Sequence, residues 1–360
     1  MKICIACRCP FTNDLQDGNL TSEERFERQV LEASLSNKEV TEIYTSRYEW
    51  KKGYNISSKY KGLVTNKESK NCILLMHDYN ENRDTIYRYE WKSILIWVFA
   101  GLWVEQRKEI RALEKKYKNS FFLVISYPDS YQSQKERFID YCNLVDIENF
   151  ISLPVPIVPY LDYADRFTNK VFLWSQRPRS LNTVYENSGT IWALQKLQQD
   201  SSLQLHIVTS FRERESLDHR NGQVVKGFNP TLYLWSLPEM QKYSDVKERV
   251  FLLGSISRQE VLNEYSKAKL AIPFLTFNSS PGFEASMFGV PFITNGGWEK
   301  NVYLNVETPE EHTRLLEKLS TDHSFYIETA NKNRDYINQL YTYTAFNKNL
   351  NRFLATKELL

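Results

Sequence analysis

The chain has 360 residues, enough for two cores of ordinary size. Its 46 Lys and Arg stand against 44 Asp and Glu, and a net charge of +2 excludes a chain-wide field for gripping nucleic acid, leaving only local basic patches. With 42% hydrophobic and 25% charged residues it has the composition of a globular protein, and 14% aromatics add packing and stacking surface.

The opening "MKICIACRCPF" reads as a first strand, without the basic, apolar and cleavage-site regions of a signal peptide, so a cytoplasmic location is expected. Five cysteines are odd in number and sparse, which fits a reducing compartment. "CIACRC" finds no second Cys pair and no His pair at ligand spacing, so buried strand thiols are expected and a metal is not. A charged helix around "SEERFERQVLEASL" and a strand "EVTEIYT" follow. The stretch from Tyr48 to Gly62 reads as an exposed loop, or as a basic, aromatic rim for DNA. "NCILLMHDY" is a buried strand ending at His77 and Asp78.

"SILIWVFAGLWV", Ser93 to Val104, is too short for a bilayer, which needs about 20 residues. It is read as part of a long buried helix from about Tyr87 to Tyr117. A second reading makes it a peripheral contact with the inner membrane face through Trp91, Trp97 and Trp103. "SFFLVISYPDS" is the next buried strand, and the prolines of "LPVPIVPYLDYADRFTN" mark a linker. The alternation then restarts: strand "KVFLWS", helix "SGTIWALQKLQQD", strands "LQLHIVTS" and "RVFLLGS", helix "SRQEVLNEYSKA", strands "KLAIPFL" and "PFITNG", and a terminal helix pair. Such alternation predicts an α/β protein of two doubly wound domains, over 1–165 and 166–335, with 336–360 returning toward the first.

In open parallel sheets ligands sit beyond the carboxyl ends of the strands. Ser175, Arg177 and Arg179 follow one strand and suit a diphosphate, or are a solvated turn with surface cations. Gly254 and Ser255 form a turn that can bring backbone close to a base or ribose, or are a plain connection. Ser279, Ser280, Gly282 and Phe283 open a helix whose first amides attract phosphate. Glu284 is expected in that helix's first turn, either accepting two ribose hydroxyls or compensating the dipole.

In this order "LLGS", "RQEVLNEYSKA", "AIPF" and "FEASMFGVPFIT" resemble the nucleotide-sugar domain of the GT-B-fold glycosyltransferases, over about 171–294. The resemblance implies two Rossmann-like domains facing a cleft and a nucleotide-sugar donor, a UDP-sugar first. Its glutamate maps onto Glu284 as the ribose clamp, and its basic pair onto Arg177 and Arg179. It also implies transfer of a hexose or pentose to a hydroxyl. Two departures stand out. Thr276 occupies the position of a second acid found in many retaining members, and no Lys follows the arginines at the usual place in "NSGTIWALQKL". Retaining and inverting outcomes both remain open.

An inverting transfer needs a base. Asp129, in a stretch similar to the phage DNA glucosyltransferases, and His77 or Asp78 are the candidates, with Asp14 and Asp17 behind them. Asp129 also reads as a helix cap and His77 as a core histidine. The acceptor is a cell-surface glycan or its lipid-linked precursor, or a hydroxymethylated DNA base, the enzyme then working in a host's cytoplasm if phage-encoded. The absence of any Asp-x-Asp triplet points to a metal-independent reaction, and no phosphate-binding Gly-x-x-x-x-Gly-Lys loop supports a kinase. An epimerase or hydrolase on the same fold, or a silent nucleotide-sugar-binding module, are the alternatives.

Overall fold

A computed structural model of the protein describes residues 1–6, 22–45, 64–65, 71–77, 86–87, 90–98, 104–125, 149–156, 162–175, 184–208, 217–218, 223–224, 234–254, 256, 258, 259–275, 280–295, 304–306 and 308–359. It divides into two compact units, Met1–Pro159 with Asn338–Leu360, and Tyr160–Ile337.

In the first unit β1 (Lys2–Ala6), α1 (Ser22–Leu35), β2 (Glu42–Thr45), β3 (Val64–Thr65), β4 (Ile73–His77) and β5 (Ser93–Trp97) come first, followed by α2 (Val104–Tyr117), β6 (Phe121–Ile125) and β7 (Phe150–Ser152). The strands form one sheet in the order β3-β2-β1-β4-β5-β6-β7, every pair parallel. Near-continuous apolar runs such as "SILIW" and "FFLVI" suit strands covered on both faces. Alternate residues sort between two cores, Ile3 and Ile5 to one face, Cys4 and Ala6 to the other. The chain end closes the first of these. Phe346, Leu350 and Leu354 of the terminal helix Tyr343–Thr356 recur every fourth residue and are fully buried in it. Burial of each stabilises the unit by roughly 1.5–3 kcal/mol.

The long helix expected from Tyr87 is corrected: Ser93–Trp97 is β5, between β4 and β6, and the helix begins at Val104. A short apolar run has no periodicity that separates a buried strand from a buried helix, and β-branched Ile94 and Ile96 favour the strand. Two of the three tryptophans of the membrane reading are taken up by the interior. Trp97 is fully buried, its Nε1 donating to the Leu153 carbonyl at 3.1 Å, and Trp91 is 6% exposed. Trp103 lies outside the described residues. Among the described residues no helix is long and apolar enough to cross a membrane. Cys4 and Cys72 are buried thiols outside any disulfide; Cys7, Cys9 and Cys142 lie outside the described residues.

The second unit contains β8 (Val171–Ser175), α3 (Ser188–Gln199), β9 (Gln204–Val208), the short antiparallel pair β10 (Leu217–Asp218) and β11 (Gln223–Val224), and β12 (Val250–Gly254). Then come α4 (Arg258–Lys267), β13 (Ala268–Ala271), α5 (Ser280–Phe288), β14 (Thr294–Asn295), β15 (Asn305–Val306), α6 (Pro309–Thr321) and α7 (His323–Leu340), while the terminal helix of the first unit is α8. The parallel sheet runs β12-β9-β8-β13. A parallel bridge from Phe274 to Ile293, with Leu275 N donating to Ile293 O at 3.1 Å, carries it on to β14 and β15. The full sequence β12-β9-β8-β13-β14-β15 is the doubly wound order 3-2-1-4-5-6. Its direction reverses between β8 and β13, and that of the first unit between β1 and β4.

Candidate functional site

The reversal between β8 and β13 leaves a crevice beyond the strand ends where such sheets bind ligands. β8 ends there at buried Ser175. The helix that follows, α3, starts close to the other strand. Asn187 caps it by accepting a hydrogen bond from Gly189 N at 2.9 Å. A Cβ on Gly189 would lie 2.1 Å from the carbonyl oxygen of Ile272, the residue after β13. Glycine is required for that backbone-to-backbone approach.

After β13 the chain leads to α5, which is fixed along its length. Tyr265 of α4 donates to the Pro281 carbonyl at 3.1 Å, and Ser286 Oγ donates to the Gly282 carbonyl at 2.9 Å. The helix ends in a left-handed turn at Gly289, φ +75°, with Val290 N donating to Ala285 O and Gly289 N to Ser286 O. Arg166, 8% exposed, donates through Nε to the Phe288 carbonyl at 2.7 Å and through Nη1 to the Ser266 carbonyl. One guanidinium therefore joins the last turns of α4 and α5, where it also meets the negative ends of both dipoles.

A helix held in this way presents its first amides rigidly. Ser280, Pro281, Gly282 and Phe283 make up its first turn, in which Pro281 has no N–H to supply. Glu284 is the fifth helical residue, so it stands in the second turn and not the first; no acid occupies the first turn. Proline at the second position is pre-organised for helix and starts α5 early. Glu284 is 2% exposed, a burial that compensation of a surface dipole does not require.

One residue of this region was not anticipated. His312, the fourth residue of α6, is fully buried; its Nδ1 lies 2.7 Å from Ser188 Oγ and its ring stacks on Phe274 at 3.9 Å. It thereby ties the first residue of α3 to the segment after β13. Its Nε2 is buried without a hydrogen-bond partner, and burial pushes its pKa down to about 4. The signal was present in the sequence, since His312 shares a helix face with Leu315, Leu316 and Leu319. A second buried pair, His206 with Glu264, lies in mid-strand on β9 and away from the strand ends.

The other expected positions sort as follows. Gly254 closes β12 at φ +68°, in the left-handed conformation that suits glycine, two strands from β8. His77 is the last residue of β4, on the strand flanking the reversal of the first sheet. Asp78, Asp129, Arg177, Arg179, Ser255 and Ser279 lie outside the described residues, as do Asp14, Asp17, Thr276 and the Tyr48–Gly62 stretch. Ser175, Ser280, Gly282, Phe283 and Glu284 are brought to one end of one sheet. Among the described residues no three His, Cys, Asp or Glu side chains gather as a metal site.

No family model matches the sequence, and no curated protein matches it. Solved structures do match over the whole chain. Sucrose-phosphate synthase from Thermosynechococcus elongatus is similar at TM-score 0.58 and 12% identity, with 99% of this chain and 98% of that chain covered. Trehalose-6-phosphate synthase OtsA is similar at TM-score 0.61 and 11% identity, over 100% and 99% of the two chains. Anabaena HepE in complex with UDP and glucose is similar at TM-score 0.53 and 11% identity, over 99% and 100%. Likeness along the entire chain at such identities shows the fold, and the protein has the GT-B fold, with one doubly wound Rossmann-like sheet in each of its two units.

Proposed function

We propose that the protein is a glycosyltransferase that moves a sugar from a UDP-sugar to a hydroxyl of a carbohydrate acceptor. The observation that carries this is the pinned start of α5, with Glu284 buried one turn in, at the strand-order reversal of the second unit. The positive end of the α5 dipole, at Ser280, Gly282 and Phe283, faces the diphosphate, whose remaining charge falls to Arg177 and Arg179. Glu284 accepts the ribose hydroxyls, Ser175 adds a hydroxyl beside the diphosphate, and Gly254, Ser255 and Ser279 complete the contacts to the base and phosphates. No metal is invoked, since these groups meet the charge. Similar structures holding UDP-linked ligands support the donor class.

In this reading a base in the first unit takes the proton of the acceptor hydroxyl. That oxygen bonds to the anomeric carbon, and the bond from that carbon to the diphosphate breaks, releasing UDP. Sheet order favours His77 or Asp78 over Asp129, because β4 flanks the reversal and β6 lies two strands away. The test is release of UDP from UDP-glucose and UDP-N-acetylglucosamine, with and without carbohydrate acceptors. Turnover with an acceptor, lost in His77→Ala or Asp78→Asn and kept in Asp129→Asn, is the expected result. UDP binding without turnover on any acceptor, hydroxymethylated DNA included, would make the protein a binding module.

A further inference from the structure

The first unit holds a cavity that none of this uses. β7 is the edge of its sheet. Leu123 N donates to Asn149 O and Leu153 N donates to Ile125 O, so alternate residues of β7 face β6 while Phe150 and Ser152 turn their backbone groups outward. Beside that edge runs α8, with Asn349, Arg352, Phe353 and Thr356 on one face at helical spacing. Strand and helix enclose a cavity of about 370 Å³.

Its wall combines three chemistries. Phe122 and Phe353, edge to face with centroids 4.8 Å apart, give it aromatic surface. Arg352 and Lys357 give it two cations that pair with no carboxylate among the described residues; the Lys357 ammonium lies 5.6 Å from the Phe122 centroid. The Asn349 side chain and the outward backbone groups of β7 add hydrogen-bonding capacity to it.

We infer that this cavity binds a monosaccharide carrying one anionic group, phosphate or carboxylate. An apolar acid would make no use of the Asn349 amide or the strand edge. A neutral sugar would leave the two cations without a counter-charge. The CH face of an anionic sugar covers the rings, its hydroxyls meet Asn349 and the outward groups of β7, and its anion meets Arg352 and Lys357. The volume sits near the lower end of ligand sites, about 300–1,000 Å³, which suits one sugar ring. Every lining residue belongs to the first unit and every donor residue to Tyr160–Ile337, so the inference does not rest on the donor reading.

Calorimetry at low ionic strength with glucose 6-phosphate, glucuronate, glucose and inorganic phosphate tests it. At least one anionic sugar binds the full chain, and glucose and inorganic phosphate bind at least about tenfold more weakly. The better of phosphate and carboxylate identifies the anion. Arg352→Ala and Lys357→Ala, both at exposed positions, each weaken binding by about ten- to hundredfold. Asn349→Trp, which fills the cavity from the helix, abolishes it. Failure of both anionic sugars to bind, inorganic phosphate binding as tightly as either, or wild-type affinity in both cation variants overturns the inference. UDP binding stays unchanged in all three variants, so the two sites fail or stand separately.

Discussion

His312 gives stability a dependence on pH that can be worked out in advance. The imidazole is fully buried, contacts Ser188 Oγ through Nδ1 and the Phe274 ring through its face, and leaves Nε2 unpaired. Either neutral tautomer is tolerated there, whereas an imidazolium would bury a charge with one donor unsatisfied. Burial lowers its pKa from 6.5 to about 4. The unfolded chain therefore binds a proton below pH 6.5 that the folded chain refuses until about pH 4. Stability rises with pH across that window, is fully present above it and is lost as pH falls through it. At about 1.36 kcal/mol per pH unit, moving from pH 7 to pH 5 costs about 2 kcal/mol at this residue. The measurement is urea denaturation at both pH values, for wild type and His312→Leu. The variant loses the Ser188 contact and is less stable at pH 7, but its fall between pH 7 and pH 5 is smaller by about 2 kcal/mol. An equal fall in both proteins refutes the argument.

Three further substitutions test how the site is held. Arg166→Ala leaves the Phe288 carbonyl without its side-chain donor and the Ser266 carbonyl with Asn169 Nδ2 alone at 3.3 Å, and costs about 2–4 kcal/mol in denaturant unfolding. Gly189→Ala drives a methyl group against the Ile272 carbonyl, costs about 1–3 kcal/mol or more, and weakens UDP binding as α3 shifts from β13. Leu350→Ala in α8 costs about 2–5 kcal/mol, measured as reduced stability of the first unit, because the residue is fully buried in its core.

Much of the fold was legible because parallel strands covered on both faces read as apolar runs, and "KICIA", "FFLVI" and "VFLWS" are such runs. The same property hid β5. "SILIW" continues without a break into more apolar residues, so neither length nor period marked its end. β7 went unseen for another reason: three residues beside a proline-rich stretch carry too little pattern to stand out. In the second unit the start of α5 was legible from Ser280, Pro281 and Gly282, and the turn at Gly254 from its glycine. The turn occupied by Glu284 was not, because it depends on how early proline lets the helix begin. His312 pairs with Ser188 across 124 positions, a contact that only the tertiary fold creates.

The central claim is that the buried acid of α5 holds the donor's ribose. Calorimetric titration of UDP into wild type and Glu284→Gln tests it most directly. The account predicts that wild type binds UDP and that the near-isosteric variant, with its melting temperature retained, binds about ten- to hundredfold more weakly. Wild-type affinity in Glu284→Gln, or no binding of UDP to the native protein, would contradict it.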